Sequence, residues 1–230
     1  SCAAFGRPSN DQVGVCTMMS RSIALRILYD QPLPNGFAAS IQILKTAAAF
    51  ATRGHDVRVY HPGTPVDLEQ LSDFYGEAWP DSITFVTAKH NHWLDRWRTI
   101  YDINRACRTY PATALLGRGP AIQRLLTARR LSQKVIRLYE MHNIQWLRYA
   151  QKSPSNAGNA SHIAQLKNGE IRTIQAVDGL ICVTKAVEEA AADLAGTLPP
   201  TAVLPSGTDL PQITPNTCKT VDVAYAGKIE

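Results

Sequence analysis

Short apolar runs alternate with amphipathic stretches along most of the chain. Residues 27–29 form an apolar run of the kind a buried parallel strand shows. Pro32, Pro34 and the pair Asn35-Gly36 then break regular structure. From Ala38 the apolar residues fall at helical spacing. Ile41, Leu44, Ala48 and Ala51 share one face, with Ile43, Ala47 and Phe50 beside it. Gly54 marks the helix stop, and Val57, Val59 and Tyr60 begin a second strand. A strand–helix–strand unit of this length predicts a right-handed crossover, the building block of a parallel sheet.

The same alternation continues. Strands are predicted at 83–86, 113–116, 135–139, 179–183 and 203–204. Helices are predicted at 66–75, within 88–110, at 121–131, 162–176 and 185–194, with a short helical turn at 143–149 and a loop at 153–161. Arg129-Arg130 are read as cations at the end of the 121–131 helix. The pattern predicts an α/β fold, a Rossmann-like parallel sheet with helices on both faces. Residues 1–22 lack periodicity and are expected to form a loosely attached extension. Residues 23–210 form the domain, 211–220 are a linker by their proline and threonine content, and 221–230 begin a second domain with its first strand.

Composition changes this picture little. The 230 residues are 45% hydrophobic and 19% charged, ordinary for a globular protein. A formal charge of +5 is compatible with anionic ligands or a membrane surface and establishes neither. No apolar run is long enough to span a bilayer, and the first residues lack the apolar segment of a secretory signal. Five scattered cysteines without a Cys-x-x-Cys pair suggest reduced thiols and a cytoplasmic location. His90 and His92 have no visible third ligand, so no metal site is expected.

Candidate chemistry lies at strand ends. The loop around Asn35 and Gly36 falls at the carboxyl end of the first strand, where open α/β sheets bind ligands and a helix amino end favours phosphate. It carries neither a GxGxxG nor a GxxxxGK[ST] pattern. Arg118 follows the fourth strand and is read either as a phosphate or acceptor contact or as a solvated surface arginine. His142 closes the fifth strand in Glu140-Met141-His142-Asn143 and is read as a positioning group rather than a general base. Trp93, Trp97, Ile100 and Tyr101 share a helix face with Arg96 and Arg98 nearby. That face is ordinarily core; with its cations it would also suit an acceptor or a membrane surface.

Four segments resemble the N-terminal half of the retaining glycosyltransferases of the GT-B fold, family 4. They are the Pro34-Asn35-Gly36 loop with Arg53-Gly54-His55-Asp56-Val57, Leu138 to Asn143, Val177 to Thr184 with Glu188, and Val203 to Leu210 followed by Val223 to Lys228. The resemblance implies two Rossmann-like domains facing across a cleft, the N-terminal one taking the acceptor and the C-terminal one the sugar nucleotide. It implies sugar transfer with retention, from a nucleotide-sugar donor to a glycan, lipid-linked or small-molecule acceptor. No metal or resident cofactor is implied, and no nucleic acid partner. By resemblance His142 sits by the transferred sugar as the catalytic residue, while Asn35, Gly36 and Lys228 meet the donor phosphates. Arg118, Trp93 and Trp97 are the acceptor-side candidates, with peripheral contact at the inner membrane face as a further expectation. The chain departs from the family at Lys228, where an arginine is usual, at Asn35-Gly36 in place of two glycines, and at Ser206 in place of asparagine. Residues 1–230 alone are expected to be catalytically inert. The competing classes are a sugar-nucleotide epimerase, which needs acid/base carboxylates in the cleft, and a non-catalytic domain binding a partner or membrane through Trp93 and Trp97.

Overall fold

The computed structural model describes residues 22–89, 92–152 and 157–205. Its strands are β1 (Ala24–Tyr29), β2 (Asp56–His61), β3 (Ile83–Thr87), β4 (Thr113–Arg118), β5 (Val135–Met141), β6 (Gly179–Cys182) and β7 (Thr201–Val203). They pair in the order β3-β2-β1-β4-β5-β6-β7, every pair parallel. The helices are α1 (Ala38–Ala51), α2 (Leu68–Tyr75), α3 (Trp93–Thr109), α4 (Gln123–Leu126, after a 3-10 turn at Pro120–Ile122), α5 (Gln145–Lys152), α6 (Ala157–Ala176) and α7 (Lys185–Ala195).

All six residues of β1 are buried, as a central strand covered on both faces requires. Leu25, Ile27 and Tyr29 point to one face and pack with Ile43, Leu44 and Ala47 of α1. Leu28 points to the other, in a core shared with Ile100 and Ile103 of α3, Leu126 of α4 and Leu180 of β6. The chain runs outward from β1 to β2 and β3, then returns to β4 on the other side of β1. That reversal leaves a crevice outside the carboxyl ends of β1 and β4, where open α/β sheets take their ligands.

Several expectations are corrected. The helix expected at 121–131 stops at Leu126, because the chain turns to bury Leu131 and to start β5 at Val135. Arg130 therefore ends no helix; its guanidinium lies 3.8 Å from the centre of the Trp97 ring. Residues 157–161, expected in a loop, open the polar first turns of α6, while 153–156 lie outside the described residues. The last strand ends at Val203 rather than Leu204. Within the 88–110 stretch the helix begins only at Trp93, with the Asp95 carboxylate accepting the Lys89 N–H (3.0 Å).

The aromatic face of α3 is not core. Ile100 is buried, but Trp93, Trp97 and Tyr101 are 57%, 44% and 69% exposed. Thr99, Ile100, Ile103 and Ala106 make the inward face, and the aromatics, four residues apart, run as a stripe beside it. Cys107 and Cys182 are free thiols, and burial pushes the Cys182 thiol up to about 11. The other three cysteines, residues 1–21, the linker and the start of the expected second domain lie outside the described residues.

Candidate active site

The crevice is a cleft of about 400 Å³ at the carboxyl ends of β1, β4 and β5. Its wall is organised by strand register. Arg118, the last residue of β4, stands opposite Glu140 of β5. The Arg118 guanidinium pairs with both Glu140 oxygens, through Nη2 to Oε1 and through Nε to Oε2 at 3.2 Å. Its Nη1 donates to the Ala39 carbonyl at the start of α1 (2.8 Å). The His142 ring places Nε2 3.0 Å from Glu140 Oε1. Arg118 and Glu140 side chains are 7% and 10% exposed, whereas His142 is 26% exposed at the cleft. The reading of Arg118 as a solvated surface arginine is thus overturned.

Glu140 is the centre of this triad. Burial alone would raise its pKa, but the His142 hydrogen bond and the Arg118 charge outweigh it and hold the carboxyl below its usual value. An ionised Glu140 accepts the His142 Nε2–H. That tautomer leaves Nδ1 as the remaining polar atom of the ring.

The loop before α1 forms the opposite rim. The Asn35 amide donates to the Pro32 carbonyl (2.6 Å) and the Tyr29 hydroxyl (3.3 Å), and its Oδ1 accepts the Phe37 N–H (2.9 Å). The Tyr75 hydroxyl of α2 accepts the Asn35 N–H and donates to its carbonyl (3.0 and 2.8 Å). Asn35 therefore shapes the loop, and its side chain is engaged within it. A Cβ at Gly36 would meet nothing within 4 Å, so the protein itself leaves this position open. α1 has neither a side-chain cap nor an acidic first turn, and Phe37 and Ala39 at its start line the cleft. Such an uncapped amino end favours an anion.

Gly119 is a different case. Its φ is +96°, and a Cβ there would collide with the Asp30 carboxylate. Only glycine suits that backbone and that neighbour at once. The sequence signal was the Gly117-Arg118-Gly119-Pro120 run; what it encodes is the close seat of the β1 loop on the β4 loop.

The structure brings His142 and Arg118 together through Glu140; Asn35 and Gly36 do not themselves line the cleft, which on that side is bordered by Gln31, Phe37 and Ala39. It does not bring Trp93 or Trp97 there; both lie on α3, apart from the cleft lining. Lys228 and His90 lie outside the described residues. Sequence reasoning missed the role of Glu140, whose signal was a carboxylate near the carboxyl end of a mainly apolar strand, two residues before His142. It also missed Arg148 of α5, which lines the cleft. Among the described residues no group of three His, Cys, Asp or Glu is placed to hold a metal ion.

A wholly parallel sheet with a polar cleft at its topological switch point defines the Rossmann-like class of ligand-binding domains. The chain belongs to Glycosyltransferase Family 4, whose family model matches residues 39–212. No curated protein sequence shows a significant match. Among solved structures, a sucrose-phosphate synthase from Thermosynechococcus elongatus aligns at TM-score 0.55 and 14% identity, over 81% of this chain and 48% of that one. Apo UGT2 from Phytolacca americana aligns at 0.45 and 11% identity, over 80% and 52%. A ugt transferase from Siraitia grosvenorii in complex with UDP aligns at 0.48 and 10%, over 78% and 50%. The chain thus spans about half the length of each. The synthase likeness shows the fold, the Rossmann-like half of a GT-B glycosyltransferase.

Proposed function

We propose that this domain forms the acceptor side of a glycosyltransferase that moves a sugar from a nucleotide-sugar donor to an acceptor with retention. The observation that carries the reading is the Arg118–Glu140–His142 cluster at the switch-point cleft of a Family 4 chain. In this reading His142 contacts a hydroxyl of the transferred sugar, held in one tautomer by Glu140. The amino end of α1 and the open Gly36 backbone face the donor phosphates, with Lys228 contributed from beyond the described residues. Arg118 supports that rim through Ala39 and neutralises Glu140. Retention requires stabilising a sugar cation and a departing diphosphate, and needs no paired carboxylates if the leaving phosphate assists. The acceptor is a glycan, a lipid-linked sugar or a small molecule, and the donor-binding residues belong to a second domain.

Full-length polypeptide incubated with UDP-, GDP- and ADP-sugars tests this. Turnover of one donor, with the anomeric configuration kept in the product by NMR, is the expected result. Absence of turnover with every donor would remove the reading. The exposed Trp93, Trp97 and Tyr101 stripe supports a second, compatible element, peripheral contact with an anionic membrane, in which aromatic rings enter the headgroup region. Among the described residues no helix is long and apolar enough to cross a membrane. Vesicle co-sedimentation that is unchanged in a Trp93→Ala, Trp97→Ala variant would exclude that contact.

A further inference from the structure

Residues 142–144 join β5 to α5, and the first of them is the histidine at the cleft. The strand end of this link is held by the Val183 N–H, which donates to the Met141 carbonyl (3.2 Å). The helix end has no local hold. Ile144 stands at the N-cap position, since its carbonyl accepts the Arg148 N–H (3.0 Å). Isoleucine has no side-chain oxygen to offer the free N–H groups of the first turn. Asn143 does not serve instead, because its buried Oδ1 has no hydrogen-bond partner.

The cap comes from another helix. Glu170 of α6 is fully buried, and its carboxylate accepts the Gln145 N–H through Oε1 (2.9 Å) and the Trp146 N–H through Oε2 (3.3 Å). Among the described residues no lysine, arginine or histidine pairs with it. Its charge is met by those two N–H groups and by the positive end of α5. The helix that carries it is firmly seated. A Cβ on Gly169 would lie 2.7 Å from Gln123 Oε1, so α6 runs close against α4 there, and Thr173 and Ile174 are fully buried. A serine, aspartate or asparagine at position 144 would cap α5 from within. Reaching across from α6 instead ties the β5–α5 link to the packed body of the domain, at the cost of burying a carboxylate.

We infer that Glu170 is a positioning residue for His142. Its grip on the first turn of α5 fixes the backbone on which the imidazole stands, three residues before the first capped N–H, while Glu140 fixes the ring itself. This inference rests on the sugar-transfer reading for its effect on turnover, and not for its effect on the imidazole.

The test compares Glu170→Gln with Thr173→Val in the full-length polypeptide. Glutamine keeps the shape and one acceptor oxygen but loses the charge and the second N–H contact. Thr173 lies one turn further along α6 and donates to the Gly169 carbonyl (2.8 Å), so valine there loosens α6 without touching the cap. In nitrogen NMR with labelled histidine and tryptophan, Glu170→Gln is expected to move the Trp146 amide and the His142 ring signals, and Thr173→Val neither. With whichever of UDP-, GDP- or ADP-glucose turns over, Glu170→Gln should lower kcat about tenfold and leave the donor KM within about twofold. In a His142→Ala background the same change should lower kcat less than about twofold, because the group it positions is gone. Gln145→Pro removes the first hydrogen bond from the helix side, at a position that suits proline, and should move the His142 ring in the same way even if Glu170→Gln fails to fold. A His142 ring that stays put while the Trp146 amide moves, equal losses of kcat in both backgrounds, or the same changes in Thr173→Val would overturn the inference. If no donor turns over, the transferase reading fails by itself, and the NMR comparison still decides what Glu170 positions.

Discussion

Two buried arginine–carboxylate clusters sit on the same sheet and differ in where their last valence points. Toward the amino ends of β1 and β2, Arg26 is 2% exposed and donates Nη2 to Asp56 Oδ2 (2.5 Å) and Nη1 to the Asp56 carbonyl (3.0 Å). Its Nε lies 3.5 Å from Asp102 Oδ2, which also accepts the Tyr60 hydroxyl, while Asp102 Oδ1 accepts Arg58 Nη1 (2.8 Å). Both Asp102 oxygens are thus used within the protein. At the carboxyl ends, Glu140 likewise holds a buried arginine, but its third partner is a partly exposed imidazole facing a cleft. The first cluster joins α3 to the sheet. The left-over polar atoms of the first cluster, Nε of Arg26 and of Arg58, are buried, whereas that of the second, Nδ1 of His142, belongs to a ring that lines the cleft. A buried ion pair is by itself weak evidence of function; the open third member is the distinguishing feature.

The largest effect expected from breaking this comparison is in the closed cluster. Asp102→Ala removes the acceptor of Arg58 and of the Tyr60 hydroxyl while Arg26 keeps Asp56, and should cost about 3 kcal/mol in urea unfolding. The open cluster should respond in activity instead. His142→Ala in the full-length enzyme is expected to lower kcat about 100-fold with little change in unfolding midpoint. A large stability loss with unchanged turnover would place His142 among structural residues. Glu140→Gln comes next. It keeps the shape but removes the charge that faces Arg118 and His142, costing roughly 2 kcal/mol, and should shift the His142 tautomer balance seen by nitrogen NMR.

The smallest effect is in pH dependence, and it separates two buried glutamates. Glu140 is held below its ordinary value near 4.5. Its contribution is therefore present above that value and is lost as pH falls through the folded one. Burial raises Glu170 against the pull of its two backbone N–H donors. Its contribution has the opposite sign and declines as pH rises from about its ordinary value of 4.5 through the folded one. Unfolding midpoints measured from pH 3 to 7 should flatten in Glu140→Gln and steepen in Glu170→Gln. Parallel curves for the two variants would refute the assignment.

Much of the fold was legible because parallel strands buried on both faces read as short apolar runs, as residues 27–29 do. The polar opening of α6 was not, since Asn159 and Ser161 carry no apolar period and their helix is imposed by tertiary context. His142 and Arg118 were visible as polar residues at strand ends. Their connection was not, because it depends on the β4–β5 register that sets residue 118 against residue 140. On α3 the spacing identified a shared face for Trp93, Trp97 and Ile100 but not which edge of it turns inward. Arg148 was hidden for a related reason. Nothing in Gln145-Trp146-Leu147-Arg148 tells which side of a short helix meets a cleft.

The seat of Asp30 over Gly119 also divides the cleft rim for anyone redesigning it. A library that randomises Gly119 would spend its diversity on chains whose two rim loops can no longer close on each other. Phe37, Gln145 and Arg148 border the same space from exposed or half-exposed positions, outside that contact. Under the proposed function, acceptor range should therefore evolve, in the laboratory or in nature, along the α1 and α5 side of the opening, while the β1–β4 corner stays as the template around which variants are tried.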